Sequence, residues 1–246
     1  MSGPVLVLGA TSAIARGAAA AFARRGHPLY LAGRDLEELR RDAADLAIRY
    51  GVEVKFGAFD AEATEHHASF LERIIGEMGE LAGVLVAFGY LGDQARAAID
   101  FRETQAIINR NFVGAASILN LCAERMEQGG RGFIAGIASV AGDRGRQSNY
   151  TYGAAKGAFA LYLQGLRNRL FPAGVRVLTV KPGFVDTGMT FGMPGMFLVA
   201  TPVAVGERIA RAVERGRDVL YVPWFWRYIM LIITHIPERV FKRLKL

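Results

Sequence analysis

The chain has 246 residues, 52% hydrophobic and 22% charged, with a formal net charge of +7. That is ample material for one ordinary α/β domain, and it excludes a disordered chain. The single cysteine, Cys122, excludes an internal disulfide, suits a reducing compartment, and reads as a small core residue inside a helical pattern.

The N-terminus M-S-G-P-V-L-V-L-G lacks a basic region followed by a long apolar one, so no signal peptide is expected and a cytoplasmic location follows. Val5 to Leu8 is a continuous apolar run, expected to form a buried parallel strand. It leads into G-A-T-S-A-I-A and an alanine-rich helix to about Arg25, stopped by Gly26. Strand, turn and helix in this order are what a dinucleotide-binding turn requires. Gly9 and Thr11 form the turn, and the N–H groups of Ser12, Ala13 and Ile14 open a helix whose positive end attracts a pyrophosphate. The usual later glycines are replaced by Ala13 and Ala15. Alanine is tolerated at the second of these, where helix packs on strand, whereas the Ala13 methyl would hold backbone away from phosphate. The alternative is a plain turn between strand and helix.

Pro28 to Ala32 reads as a second strand, followed by Gly33, Arg34 and Asp35. An arginine directly after this strand suits the 2′-phosphate of NADP(H), with NAD(H) still possible; alternatively Arg34 pairs with Asp35 or Glu38 at the surface. A helix over Leu36 to Tyr50 and a strand over Val52 to Phe56 come next. Asp60 then stands where an adenine would lie, or caps a helix. Glu62 to Met78 is expected to be helical, with His66 and His67 as surface residues, since adjacent histidines share no helix face and have no metal-ligand partners. No metal site is expected anywhere. Val84 to Phe88 is a strand ending at Gly89; Phe101 to Glu127 is one long helix containing Asn111; Gly132 to Ala138 is a strand leading to Ser139.

The stretch from Ser139 to Lys156 carries the chemistry. Tyr152 and Lys156 are four residues apart, so on a helix they share a face. A free phenol has a pKa of about 10; a nearby ammonium favours the phenolate and lowers that value, so the tyrosine can act as acid or base. Ser139 would offer a hydroxyl to a substrate oxygen. A strand over Val175 to Val180 leads to Pro182, Gly183, Val185 and Thr187; a helix over Thr201 to Arg215 and a strand over Val219 to Val222 follow. Strands alternating with helices give an α/β fold, a single Rossmann-like doubly wound parallel sheet of seven strands with helices on both faces. Ligands in such sheets bind at the carboxyl ends of strands, where Gly9, Arg34, Asp60, Gly89, Ser139 and Thr187 all fall.

With these residues placed, the chain resembles the short-chain dehydrogenase/reductase family over roughly Val5 to Val222. The motifs are G-A-T-S-A-I-A, N-F-V-G at Asn111, I-A-S-V-A-G around Ser139, Y-G-A-A-K, and P-G-F-V-D-T. V-A-F-G, Val86 to Gly89, departs from the family's N-N-A-G. The resemblance implies an NAD(P)-dependent oxidoreductase interconverting a ketone and a secondary alcohol. It implies Tyr152 as acid/base, Lys156 on the nicotinamide ribose and lowering the phenol pKa, Ser139 orienting the carbonyl, Asn111 supporting a water-linked proton path, and Thr187 contacting the nicotinamide amide. A homodimer or homotetramer is implied as well. V-A-F-G-Y-L-G-D and the end from Trp226 to Leu244 are similar to family members that reduce a keto sugar carried on a polyprenyl phosphate.

Residues 1–222 are thus expected to form the dinucleotide-binding and catalytic domain, and 223–246 an apolar, basic helical tail. The tail holds Arg227, Arg239, Lys242, Arg243 and Lys245 against Glu238, five minus one, or +4 of the +7. Charge confined in this way argues against a nucleic-acid footprint. Trp224 to Ile233 is an apolar block broken by Arg227, too short for the roughly 20 residues of a spanning helix. After Pro237, Val240, Phe241 and Leu244 are expected on one helical face. Such a tail suits peripheral contact with the inner face of a membrane, with the stretch from Gly188 to Ala200 as an apolar lid; equally, it covers a core or a dimer contact. The remaining alternatives are a soluble reductase of small ketones or acyl chains, and a nucleotide-binding redox sensor without catalysis.

Overall fold

The structure is a computed structural model that describes residues 3–188 and 199–244. Most of the lid stretch expected at 188–200, and Lys245, lie outside the described residues. The elements in chain order are β1 (Val5–Leu8), α1 (Ala13–Ala23), β2 (Leu29–Gly33), α2 (Leu36–Tyr50), β3 (Val54–Ala58), α3 (His67–Met78), β4 (Gly83–Val86), α4 (Gln94–Ala97), α5 (Phe101–Ile108), α6 (Gly114–Gly129), β5 (Phe133–Ile137), α7 (Tyr150–Leu170), β6 (Arg176–Pro182), α8 (Pro202–Glu214), β7 (Val219–Val222), α9 (Trp226–His235) and α10 (Glu238–Phe241). All seven strands pair in parallel in the order β3-β2-β1-β4-β5-β6-β7. Order reverses between β1 and β4, with Val5 opposite both Leu29 and Gly83. This is the switch point where an open α/β sheet leaves a crevice.

The strands read as unbroken apolar runs because the central ones are covered on both faces. Successive side chains point to opposite sides. Val5 and Val7 pack with α1, α2 and α8, while Leu6 and Leu8 pack with α3, α6 and α7. Helix α1 approaches α8 closely: a Cβ at Gly17 would strike Pro202, and one at Gly206 the backbone of Gly17. Ala15 is fully buried here, where helix packing tolerates alanine.

Three expectations change. The helix expected over Phe101 to Glu127 is interrupted by a π turn at Asn109–Val113 that separates α5 from α6. Such turns insert a residue where a side chain needs a particular direction, and here that side chain is Asn111. The helix expected from Glu62 begins as a 3-10 turn over Thr64–His66, and α3 starts at His67. His67 is buried, not on the surface. Its ring stacks on Phe59 at 4.9 Å, with Nδ1 2.9 Å from Ser117 Oγ and Nε2 3.0 Å from the Asp60 carbonyl. A histidine with both nitrogens partnered can be buried at little cost; His66 remains exposed.

The tail also differs. Past Pro237 there is only the single turn α10, and Phe241 is buried while Val240 and Leu244 are exposed, so these three do not share one outward face. Phe241 lies under the Arg144 guanidinium at 3.7 Å. Arg144 also donates to the carbonyls of Ile233, Thr234 and Ile236 (2.7, 3.1 and 2.6 Å) and to Glu238 (2.9 Å). These are the last carbonyls of α9, which a helix leaves without internal partners. Helix α9 is thereby fastened to the loop after β5.

Candidate active site

The segment from Ser139 to Tyr152 leaves the carboxyl end of β5, turns, and enters α7. Ser139 Oγ caps the turn by accepting from the Ala141 N–H (3.1 Å), and it stands in hydrogen-bond reach of the Tyr152 phenol. One turn along α7, Lys156 is buried and donates from Nζ to the Ile137 carbonyl at 2.9 Å. Its Nζ lies 5.9 Å from the Tyr152 ring centre. The three side chains expected to converge therefore do so, at the end of β5.

Their electrostatics depart from expectation. Burial raises the Tyr152 phenol to about 12, and the Ser139 hydrogen bond opposes this only in part. Burial of Lys156 lowers its ammonium to about 8. Lys156 was expected to lower the phenol, but desolvation dominates both groups in the protein by itself. Tyr152 is consequently a protonated donor at neutral pH, as delivery of a proton to an oxygen requires.

Asn111 is buried and fully engaged. Its Nδ2 donates to the carbonyls of Tyr90 (2.6 Å) and Ile107 (2.8 Å), and its Oδ1 accepts from the Tyr90 N–H (3.2 Å). It fixes the loop after β4 and is not among the residues lining the cavity beside Tyr152. Glu103 secures the same loop, accepting from the Tyr90 hydroxyl (2.8 Å) and the Asp93 N–H (3.1 Å). The sequence reading did not single out Glu103; the signal available was an acid one turn from Ile107 on an amphipathic helix.

Two connected hollows lie along the crevice. One, about 430 Å³, is lined by Thr11, Ser12, Ala13, Ile14, Gly89, Ser139, Tyr152, Lys156, Pro182, Gly183, Val185 and Thr187 together with other residues. The other, about 290 Å³, includes Gly9, Arg34 and Asp60 and shares Thr11, Ser12 and Gly89 with the first. All the expected site residues except Asn111 thus border one continuous trough. The trough fits a dinucleotide. Gly9 has φ +75° and any Cβ there would strike Phe88, while a Cβ at Gly89 would press on Asn111 and Lys156. Ser12 caps α1, accepting from the Ala15 N–H (3.3 Å) and donating to the Ala87 carbonyl (3.2 Å), which aims the helix end across the trough. Arg34 is exposed at the far end. Its alternative partners are otherwise occupied: Asp35 caps α2 at the Glu38 N–H (2.9 Å), and Glu38 pairs with Arg16 (2.5 Å). Asp60 accepts on Oδ1 from the Glu62 N–H (3.0 Å).

The remaining wall was not foreseen. Trp226 of α9 lies against Gly183, with Phe184 edge-on at 5.5 Å. Arg146 and Asn149 border the same cavity.

Comparison with known proteins agrees with this geometry. The chain belongs to the short-chain dehydrogenase family, whose profile matches residues 4–193. It is therefore an oxidoreductase of that family. Among relatives, it is 35% identical over 241 residues to an oxidoreductase of Mycobacterium tuberculosis, Rv2073c, covering 98% of this chain and 96% of that one. An oxidoreductase of Streptomyces coelicolor is 34% identical, covering 99% and 97%. Solved structures similar in fold include a Sphingobium yanoikuyae short-chain dehydrogenase in complex with NADPH (TM-score 0.80, 25% identity, 96% and 97% covered). Another is actinorhodin polyketide ketoreductase with NADPH (TM-score 0.81, 22% identity, 90% and 95% covered).

Proposed function

We propose that this protein is an NADP(H)-preferring reductase that interconverts a ketone and a secondary alcohol, acting on a lipid-linked keto sugar or a similar membrane-borne ketone. The observation that carries the reading is the cluster of Ser139, Tyr152 and Lys156 at the inner end of a trough whose outer end is marked by the exposed Arg34. NADPH in the similar solved structures supports the cofactor.

Arg34 would hold the 2′-phosphate and Asp60 the adenine side. Gly9, Thr11 and the N–H groups of Ser12, Ala13 and Ile14 would take the pyrophosphate. Gly89 leaves room for the ribose held by Lys156, and Pro182, Gly183, Val185 and Thr187 would border the nicotinamide. A bound nicotinamide supplies the hydride. The protein's share is position and protons. The Ser139 hydroxyl donates to the substrate carbonyl oxygen and fixes its direction. Tyr152 gives its phenolic proton to the same oxygen as negative charge builds there, and the Lys156 ammonium stabilises the resulting phenolate. Asn111 would support the return of a proton to Tyr152 indirectly, by holding the loop after β4 in place.

For the substrate, two features support a membrane-borne ketone. The cavity beside Tyr152 is walled by apolar groups, including Leu91, Val140, Phe184 and Trp226. Helix α9, which supplies that wall, turns Tyr228, Leu231 and Ile232 outward, and Trp224 just before it is exposed as well. V-A-F-G-Y-L-G-D and the C-terminal sequence resemble decaprenylphosphoryl-2-keto-ribose reductase, which reduces a keto sugar on a polyprenyl phosphate. A cytoplasmic homodimer or homotetramer, peripheral on the membrane, accords with this reading. The test is NADPH oxidation by purified protein on detergent-dispersed polyprenyl-phosphate keto sugars and on short soluble ketones. Turnover of the former at a higher kcat/KM is expected. Equal kcat/KM on both would remove the lipid-linked substrate, and absence of NADPH binding would remove the reductase reading.

A further inference from the structure

The loop between Ser139 and Tyr152 carries two polar groups that the protein leaves unsatisfied. Arg146 Nε and Asn149 Oδ1 are shut off from solvent without a hydrogen-bond partner. Among the described residues the Arg146 guanidinium makes one side-chain hydrogen bond, from Nη2 to Met230 Sδ at 3.3 Å, and a thioether is a weak acceptor. Among the described residues no carboxylate pairs with Arg146. Asp143, the acid that acts on it electrostatically, is taken by Lys181 Nζ (2.5 Å) and the Tyr221 hydroxyl (2.9 Å). Even partly burying a guanidinium without an ion-pair partner of its own is costly, and folded proteins leave few such groups unsatisfied. Fastening the tail does not require it, because Arg144 already does so through three carbonyls and Glu238.

Arg146 and Asn149 both line the cavity that holds Tyr152, and the Asn149 N–H donates to the Arg146 carbonyl (3.2 Å), which ties their backbones together. We propose that Arg146 and Asn149 form a specificity subsite that binds an oxyanion, a phosphate or a carboxylate, carried on the same molecule as the ketone reduced at Tyr152. Arg146 donates to the oxyanion and Asn149 accepts from a neighbouring hydroxyl. This rests on the reductase reading above. A guanidinium suits the task because its planar fork meets two oxygens at once. The other cationic group of the cavity, Lys156, is spent on the Ile137 carbonyl. A neutral ketone would leave the partly buried Arg146 without an acidic partner, and a site built in that way discriminates against the ligand lacking the partner.

The experiment uses the full chain saturated with NADP+, on which a ketone binds but is not reduced. Calorimetry compares dihydroxyacetone phosphate with dihydroxyacetone, and levulinate with methyl levulinate; the two pairs separate phosphate from carboxylate. At least one anionic ketone is expected to bind about tenfold or more tightly than its neutral partner. Arg146→Gln should abolish that difference while leaving the affinity for NADP+ unchanged, and Arg146→Lys should restore part of it. Equal binding within both pairs, including no binding of any of the four, overturns the subsite, as does a preference that survives Arg146→Gln. If Arg146→Gln does not fold, the wild-type comparison together with Arg146→Lys decides. If the chain takes no NADP+, the reductase reading fails by itself, and the same pairs titrated onto the cofactor-free protein judge the subsite separately.

Discussion

Trp226 occupies the space that a side chain at position 183 would need: a Cβ built on Gly183 runs into the indole ring. The floor of the trough and the C-terminal helix are therefore one packed unit, joined by Phe184 edge-on to the same indole. Gly183→Ala should push Trp226 outward. Overpacking of this kind costs about 1–3 kcal/mol, which in a domain of this size lowers Tm by roughly 2–12 °C. Thermal unfolding and NADPH titration measure it, and both Tm and affinity should fall. An alanine variant with unchanged Tm would show that α9 does not sit on Gly183 in solution.

Tyr152→Phe should keep the fold and the affinity for NADPH and lose turnover. The ring still packs against Ile107, Ala155 and Tyr90, but no proton reaches the substrate oxygen. Loss of a general acid typically costs about 10²–10⁴ in rate. Stopped-flow NADPH oxidation checks it, and retention of most of the wild-type kcat would remove Tyr152 from the reaction.

Lys156 gives a pH dependence of determined sign. Its ammonium is lowered from 10.5 to about 8 by burial, so the folded state holds the proton less tightly than the unfolded one. Between pH 8 and 10.5 the unfolded chain carries more protons, and the Lys156 contribution to stability rises with pH across that window. Below it the buried charge costs on the order of 3 kcal/mol. Lys156→Met should then be no less stable than wild type at pH 7 while binding NADPH poorly. In the wild type, kcat/KM for reduction should decline as pH rises through about 8, when the ammonium is lost. A flat profile from pH 7 to 9.5 would argue that the charge plays no part.

Arg34→Ala should erode a preference for NADPH over NADH by about tenfold or more, since a charge-assisted hydrogen bond to phosphate is worth roughly 1.5–3 kcal/mol. Its position, exposed at the rim with Asp35 and Glu38 engaged elsewhere, leaves the guanidinium available. Equal Kd values for the two cofactors in the wild type would contradict this.

How much the sequence reveals depends on whether a feature is periodic. The strands and α2, α7 and α8 announce themselves because apolar runs and caps recur at fixed spacing, and Tyr152 and Lys156 share a face for the same reason. Asn111 was legible as a position, but the π turn that aims it was not, since nothing in helical periodicity marks where a turn widens. His67 looked like a surface residue beside His66 because its partners, Phe59, Ser117 and the Asp60 carbonyl, come from other elements. Arg146 was invisible for the opposite reason: what distinguishes it is that no carboxylate pairs with it among the described residues, a property of the folded chain.

The outer face of α9 yields the last prediction. The helix has ten residues, about 15 Å at 1.5 Å per residue, half of what a bilayer core of roughly 30 Å demands. It cannot span, but it is apolar on both sides. Trp226 and Met230 pack inward, while Tyr228 (57% exposed), Ile232 (68%) and, just before the helix, Trp224 (62%) are exposed, as are the basic residues Arg227, Arg239, Lys242 and Arg243 of the same tail. Aromatic groups ringed by basic ones settle at the headgroup level of anionic membranes. Truncation at Val222 is a poor probe of this, because it would strip Trp226 from Gly183 and Met230 from Arg146 and open the cavity. Substituting Trp224, Tyr228 and Ile232 together with serine alters only the outer face. The full chain should sediment with vesicles containing anionic lipid, less so in high salt and little with neutral vesicles. The triple variant should stay in the supernatant with unchanged Tm and NADPH affinity. A wild type that stays in the supernatant with both vesicles removes the membrane contact. A triple variant that binds vesicles as well as the wild type does the same. If size-exclusion chromatography then shows the variant smaller than the wild type, the outer face of α9 is a contact between copies of the chain.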